Sequence, residues 1–521
     1  MPRRRLGQSA TFCAIAFISM GIMYRGYLTC ILPVGYDEVK VIAVGLEEMR
    51  ESPGRALIEV PIRHSSAMTP LWWWIQYACT AGGRVISLLT IRIAPVMLGV
   101  VTLLVGYRAC AARWGRSTGV VFAGWLALSD VLTFTNSRGD FAESLMVCLL
   151  VPLTCMVGRR DVAARRGMLW LGLLMTGLGK GVFAIGLMLI AEVVVLAVGG
   201  GRGSKSEEPR GPKPAARWAA RGLAVSLLIA AVPTLAYLSI AASYFSDAES
   251  IQHDAVEATG VLDLAWQLTA NYADIKAHVT GSALDAALVW WDWDAWPVTV
   301  VSGLLIALAI VLAIRRWSGG LGSRRSGVML ALLAWSVCGA AVVISRGTAG
   351  ARFHLMYLPA LWLFASLVMP VRLNRLAGRI VISAIPVVWL ICVSLAGPVS
   401  WASFARFEPM HGQDELEKLR AWRDQRAPKP SPHGRTLYID LAHHYLTIQP
   451  RSQADVDRAI HFARKESAAT PGDARAWFYL GDALQQRGGL LDDACDAWKT
   501  GLGIQAHPAV EQKFIEHCGE R

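Results

Sequence analysis

The sequence predicts an all-α polytopic membrane protein with a small α-helical tail. Three observations carry that prediction. Of the 521 residues 54% are hydrophobic and only 17% are charged, where a soluble chain usually carries about 25% charged residues. The mean hydropathy is +0.40, and the apolar residues come in blocks of about 20, the length that crosses about 30 Å of hydrocarbon. Lys and Arg collect in alternate connections between the blocks, as cytoplasmic loops do. An ordinary soluble enzyme, a disordered chain and collagen are all excluded.

Hydropathy and loop charge place eleven spans, at 10–28, 88–107, 117–134, 142–157, 168–179, 181–199, 222–242, 297–314, 326–345, 353–370 and 380–398. Arg3, Arg4 and Arg5 precede the first span and read as cytoplasmic. Alternation then puts 108–116, 158–167, 200–221, 315–325 and 371–379 on the same side. Among these inner segments the only carboxylates are Asp161, Glu207 and Glu208, whereas the outer segments hold most of the acids of the membrane region. The net charge of +12 is therefore largely a topology signal, and nucleic acid is not expected as a partner. No small-x-small cleavage site follows the first block, and Met23-Tyr24-Arg25 is a poor substitute, so the block reads as an uncleaved signal-anchor.

Three outer segments are large. Residues 29–87 contain Trp72-Trp73-Trp74 after Pro70, which suits a helix lying in the membrane interface. Residues 243–296 end in Trp290-Trp291-Asp292-Trp293-Asp294-Ala295-Trp296, read as an interfacial aromatic belt rather than a lipid or sugar platform. The third segment is the tail. The expected divisions are a membrane domain over 1–398, a linker with a connecting helix over 399–434 marked by Pro428, Pro430 and Pro432, and a helical domain over 435–521. In the tail, Trp477, Leu480, Gly481, Leu484, Trp498, Gly501 and Pro508 resemble one tetratricopeptide unit. Ala459, Ala463 and Pro471 resemble the second helix of a unit before it, with chance helical periodicity as the rival reading. A single such unit is unstable alone, so the tail is expected to pack on something, the membrane domain being one candidate, or to recruit a protein partner.

Of the ten Cys, eight lie in or beside apolar segments and read as buried small side chains. Cys495 and Cys518 lie in the outer tail, where oxidation is possible, and form a candidate disulfide. No Cys/His spacing suggests zinc. The Gly- and Ser-rich stretch 199–206 fails the spacing of a phosphate loop and follows a span rather than a strand, so it reads as a linker.

Ionisable residues at span ends are candidate functional groups, and several share the outer side. Asp37 and Glu38 follow the first span. Arg92 begins the second. Arg138 and Asp140 sit in the turn between the third and fourth. Lys180 is expected in the tight turn Gly179-Lys180-Gly181, and Arg346 and Arg352 bracket the turn before the tenth span. Paired carboxylates can take a proton from a hydroxyl or hold a divalent cation, in which case Asp37 and Asp140 would be the ligands. Lys and Arg stabilise a phosphate gaining negative charge as it leaves. The set suits transfer of a group from a lipid phosphate carrier at headgroup level. Each residue also has a plain structural reading, as a helix cap, a local ion pair or a snorkelling lysine.

The motif order resembles the GT-C membrane glycosyltransferases, in particular the protein O-mannosyltransferase and lipid A aminoarabinose transferase superfamily. It runs through Tyr36-Asp37-Glu38, Pro70-Leu71-Trp72, Arg92, Arg113-Trp114-Gly115, Ser137-Arg138-Gly139-Asp140, the Lys180 hairpin, and Arg352 before Tyr357-Leu358-Pro359, and covers roughly residues 10–370. The resemblance implies a GT-C-type membrane fold in a bacterial inner membrane, with the N-terminus cytoplasmic and the tail periplasmic. It implies a polyprenyl-phosphate-linked sugar as donor and an acceptor lipid, glycan or protein of the envelope. Asp37, Glu38 and Asp140 would then be catalytic, and Lys180 and Arg352, or Arg346, would meet the donor phosphate. Arg92, Arg138 and His64 would shape the site. The chain departs from the family in His64-Ser65-Ser66-Ala67-Met68-Thr69-Pro70-Leu71, which is longer than a His-Pro-Pro-Leu-like stretch, and in its tail. An oligosaccharide transferase using a lipid diphosphate, a lipid or solute transporter, and a scaffold are the rival functions.

Overall fold

The computed structural model describes residues 2–31, 38–64, 70–139, 142–159, 161–176, 178–199, 213–245, 324–345, 351–368, 438–447 and 451–519, with single positions between 307 and 311. Among the described residues every regular element is helical, as the composition predicts. The chain divides into two compact units. The first comprises Met1–Leu32, Leu57–Trp74 and Ala94–Pro430, and the second Pro33–Ala56, Ile75–Ile93 and Ser431–Arg521.

In the first unit, α1 (Pro2–Ile31), α5 (Leu88–Trp114), α10 (Leu178–Gly199) and α11 (Lys213–Phe245) are the long apolar helices. Each contains a stretch long and apolar enough to cross a membrane: Thr11–Thr29, Leu88–Trp114, Gly181–Val198 and Ala220–Ile240. At 1.5 Å per residue α5 measures about 40 Å, more than the hydrocarbon thickness. Shorter apolar helices fill the space between: α6 (Arg116–Leu128), α7 (Asp130–Thr135), α8 (Glu143–Met156), α9 (Ala163–Leu174), α12 (Arg324–Ser345) and α13 (Leu358–Val368). Outward-facing Leu, Ile and Val on the long helices, such as Leu228, Val232 and Val193, fit a lipid-facing surface. The inner faces close on Leu103, Phe122, Leu150, Trp170, Trp335 and Phe364, all fully buried.

The first unit departs from the expected spans in three places. The span expected at 117–134 is broken at Ser129, whose hydroxyl accepts from Leu132 N at 3.2 Å and starts α7 as a new helix. A Ser side chain that satisfies a free N–H in this way favours a helix start over a helix interior. Asp130 accordingly stands at the first residue of α7. The hairpin expected at 179–181 lies earlier in the chain, after α9 ends at Leu174, and Lys180 belongs to the first turn of α10. Gly181 brings α10 against the end of α9, since a β-carbon there would collide with Leu173 O. The span expected at 353–370 opens with a 3₁₀ turn, Ala351–Met356, before α13.

The Trp triplet lies on α4 (Pro70–Cys79), but not as an exposed interfacial face. Trp72 and Trp73 are fully buried. Leu71 N donates to Met175 O at 3.1 Å, and Trp74 Nε1 donates to Leu57 O at 2.9 Å, so protein contacts anchor the helix. Glu192, an acid inside the apolar α10, is answered by Arg166 at 2.8 Å and by Gly158 N at 3.0 Å.

The second unit joins three stretches distant in sequence. A π-helical turn (Glu38–Ala43) leads into α2 (Val44–Glu51) and the start of α3 (Pro53–His64). The end of α4 and the start of α5 flank a turn in which Ala81, Gly82 and Gly83 all have positive φ. A β-carbon on Gly83 would lie 2.7 Å from Leu46 O and 2.9 Å from Arg50 Cβ, so only glycine permits this approach. The tail supplies α14 (Tyr438–Thr447), α15 (Gln453–Ala469), α16 (Ala474–Arg487), α17 (Leu491–Ile504) and α18 (Pro508–Cys518). Ser452 and Asp455 form a capping box on α15, and Asp473 caps α16. Helices α16 and α17 meet through glycine, Gly481 against the Trp498 indole and Gly501 against Phe478. Asp482 binds both Trp498 Nε1, at 3.1 Å, and Lys513, at 2.9 Å. Cys495 and Cys518 are joined, with Cα atoms 5.9 Å apart, which ties α17 to α18.

Candidate functional site: two buried charged clusters

Each unit buries a charged cluster that a purely apolar helix would not carry. In the second unit Glu38 opens the π-helical turn and Arg92 lies in the first turns of α5. Arg92 Nε and Nη2 donate to the two Glu38 carboxylate oxygens at 2.7 and 2.6 Å, and both side chains are wholly buried. This is the two-pronged guanidinium–carboxylate match, stronger and more directional than a neutral hydrogen bond. Losing one partner of a buried pair costs about 3–5 kcal/mol, because the other is left charged and unpaired. The arrangement therefore ties the segment beginning at Glu38 to the start of α5. It also engages the Glu38 carboxylate, which fits a role in holding its neighbour better than one in proton transfer.

In the first unit the corresponding group is Arg25, near the end of α1. Its guanidinium is wholly buried and donates to Gly21 O at 2.9 Å, Leu126 O at 3.0 Å and Asn136 Oδ1 at 3.1 Å. Asn136 and Ser137 follow α7. Ser137 Oγ donates to Thr133 O at 2.8 Å and to Arg25 O at 3.3 Å, and Ser144 of α8 donates to Thr135 O at 2.9 Å. Gly99 of α5 makes room for this knot, since a β-carbon there would lie 2.8 Å from Asn136 Oδ1 and 3.0 Å from Arg25 Cδ. Arg138 is next in the chain, nearly buried at 6% exposure, its guanidinium 5.8 Å from the centre of the Phe134 ring. The result is a connection from α7 to α8 whose first half is fixed by hydrogen bonds to α1.

The 3₁₀ turn that carries Arg352 packs against α7, α8 and α10. Its end is fixed by Trp335 Nε1 donating to Met356 O at 3.1 Å and by His354 Nδ1 against Tyr357 Oη at 2.7 Å. At the end of α5, Arg113 of the Arg113-Trp114-Gly115 motif stacks 4.4 Å from the Trp114 ring centre and donates to Cys155 O.

The sequence-predicted residues thus fall into three groups. Glu38, Arg92 and Arg138 are buried in charged or polar clusters. Lys180, Arg352 and His64 are placed by their elements, at the start of α10, in the 3₁₀ turn and at the end of α3. Asp37, Asp140 and Arg346 lie outside the described residues, as do the Trp290–Trp296 stretch and the spans at 380–398 and most of 297–314. Among the described residues no three His, Cys, Asp or Glu side chains gather as a metal site. Sequence reasoning missed Arg25 and Asn136. A lone arginine within the first span, near its end, was the available signal, since charge inside a span is costly and usually placed for a reason.

No protein-family model and no curated protein matches the chain. Among solved structures it is similar to ArnT from Cupriavidus metallidurans bound to undecaprenyl phosphate, with 16% identity, covering 97% of this chain and 77% of that one at a TM-score of 0.42. It is similar to the same protein in the apo state, with 16% identity, 98% and 78% coverage and a TM-score of 0.44. It is also similar to the Archaeoglobus fulgidus oligosaccharyltransferase in complex with Zn and sulfate, with 12% identity, 86% and 58% coverage and a TM-score of 0.37.

Proposed function

We propose that this chain is an integral membrane glycosyltransferase of GT-C type. It moves a sugar from a polyprenyl-phosphate donor to an envelope lipid, glycan or protein on the periplasmic face of a bacterial inner membrane. The observation that carries the reading is the packing of the Arg352 turn against α7 and α8, whose connection holds Arg138 and Asp140 in sequence. This packing supports a reading in which the turn that carries Arg352 and the α7–α8 connection act together on the phosphate of a lipid-linked donor. The order of the short motifs supports the same reading, and the joined Cys495 and Cys518 fit an oxidising compartment for the tail.

In this reading the acceptor hydroxyl attacks the anomeric carbon, and the bond from that carbon to the phosphate oxygen breaks. Asp37 orients the hydroxyl and takes its proton. Lys180 and Arg352, with Arg346 as the alternative, stabilise the departing lipid phosphate. Asp140 and Arg138 shape the sugar site, and Glu38, held by Arg92, is next in sequence to Asp37. If the acceptor is itself a phosphate, Asp37 only positions it. The tail, with its tetratricopeptide-like residues, serves the acceptor, a partner or the site itself.

Transfer would be assayed with purified full-length protein and a panel of polyprenyl-phosphate hexoses and pentoses. Asp37→Asn and Lys180→Ala should each lower the rate by about 10²–10³, the usual loss when one transition-state contact is removed. Full activity in both variants at matched expression would overturn the assignment. Lipid and glycan mass spectrometry with and without the gene identifies the substrates, through an accumulated donor and a missing glycan. Turnover in detergent separates an enzyme from a transporter, which needs a closed membrane.

A further inference from the structure

We infer that the tail is a clamp on the acidic segment 38–51, so that Arg458 and Lys465 of α15 are positioning residues for the transferase site. The inference rests on the reading above only in taking the segment that begins at Asp37-Glu38 to serve that site. The structural part stands on contacts within the second unit.

The segment is short and rich in charge, yet most of its described side chains are buried. Ile42, Ala43, Leu46 and Met49 are wholly covered, and Glu47 is only 3% exposed. Eight residues of helix cannot hold such a conformation by propensity, since isolated helices shorter than about 12–15 residues are marginal in water. Its neighbours must supply the stability. One end is pinned by Glu38 to Arg92. The 81–83 turn closes on Leu46 and Arg50. The tail supplies the rest, because α14 packs on the π-helical turn and α15 presents its cations to the acids of α2.

Arg458 meets Glu51 at 3.5 Å and lies 5.6 Å over the Tyr445 ring, which in turn stacks on Phe462 at 5.8 Å. Burial raises the Tyr445 hydroxyl above its ordinary range; Arg458 acts against that rise, and Glu48, Glu51 and Glu47 add to it. Burial lowers the Lys465 ammonium, while Glu47 acts to restore it. Lys465 itself lies 5.1 Å over the Tyr438 ring. Three carboxylates on α2 therefore face two cations held in place by aromatic rings on α14 and α15. Arg50 also faces them, but its guanidinium is already bonded to Glu47. Each exposed pair alone contributes little. A set reversed together sets several like charges against one another, so charge reversal tests the clamp without opening the tail's core.

The test uses the full-length protein. Arg458→Glu with Lys465→Glu should raise amide hydrogen exchange over 38–51 while leaving α16 to α18 protected. In transfer assays the same variant should lose about fivefold or more in kcat, the scale of an ordinary coupling between sites, with the donor KM little changed. Adding Glu51→Arg should recover part of both. Unchanged exchange over 38–51 would overturn the clamp. Raised exchange with unchanged kcat would overturn the positioning role and leave the tail as a docking module for partners. A wild-type protein that turns over no donor, with exchange still responding to the reversal, would defeat the transferase reading and not the clamp.

Discussion

The two units hold buried cations in different ways. Arg92, in the second unit, faces a carboxylate that takes both prongs of its guanidinium. Arg25, in the first, faces only neutral oxygens, two of them backbone carbonyls and one an amide. The first unit also holds a buried pair, Arg166 with Glu192 at 2.8 Å, so the contrast between the units as wholes is one of degree. The first is mostly interdigitated Leu, Ile, Val, Phe and Trp, with glycines such as Gly99, Gly167 and Gly339 letting helices or side chains close in. The second adds specific ties to a smaller core: Glu38 with Arg92, Glu51 with Arg458, Asp482 with Lys513, and Cys495 with Cys518. A small set of short helices buries too little apolar area to hold together by packing alone. Ionic and covalent ties make up the difference, whereas long apolar helices need only avoid unsatisfied groups.

Four experiments sharpen or break this contrast. The largest effect is expected from Arg92→Met. It leaves Glu38 buried without its partner and should cost about 3–5 kcal/mol, read as a lower thermal midpoint with raised exchange at 38–43. Glu38→Gln with Arg92→Met should recover much of that loss, as a double-mutant cycle would show. If Arg92→Met alone is silent, the second unit does not depend on this pair. Next comes reduction of the disulfide. It closes a loop across a separation of 23 residues, for which chain-entropy arguments give about 3 kcal/mol. Cys518→Ser should therefore loosen α17 and α18 while the helices of the first unit keep their protection.

Arg25→Met should cost less than Arg92→Met, about 1–3 kcal/mol at most, because the acceptors that lose its guanidinium, Asn136 Oδ1 and the carbonyls of Gly21 and Leu126, are all neutral and it removes a charge that was itself costly to bury. A larger loss than for Arg92→Met would reverse the comparison. The smallest effect concerns acid. His461 on α15 titrates below its ordinary range, first because of burial and then because Lys465 stands beside it. The unfolded chain then binds the proton more readily than the folded one. The stability His461 contributes is present above about pH 6.5 and falls as pH drops through that value. The thermal midpoint of the tail should decline slightly from pH 7 to 5, and His461→Gln should flatten that decline.

Much of the helical content was legible because hydropathy in blocks of about 20 has few other solutions. The residues worth attention were partly legible as well, since an ionisable group at a span end is conspicuous. Glu38, Arg92 and Arg138 could be singled out in that way, but not their partners. Glu38 and Arg92 are 54 residues apart, and no local pattern announces that they pair. Lys180 was expected in a turn because Gly179 and Gly181 flank it, yet the glycine at 181 serves a close approach to Leu173 instead. The Trp72-Trp73-Trp74 run suggested an interface, but not that Trp72 and Trp73 are covered by protein. Arg25 was passed over because a single charge in a span can also be read as a poor cleavage site.

The sequence by itself determined the class of structure and the long apolar helices, because hydrophobic length and loop charge act locally and additively. It also determined that the tail is helical and polar. Tertiary structure alone decided which cation meets which anion, where the α7–α8 connection is anchored, and that residues 33–56 share a compact unit with 431–521. These depend on which surfaces close over a charge. A buried charge is tolerable only where a partner far along the chain has been brought to meet it.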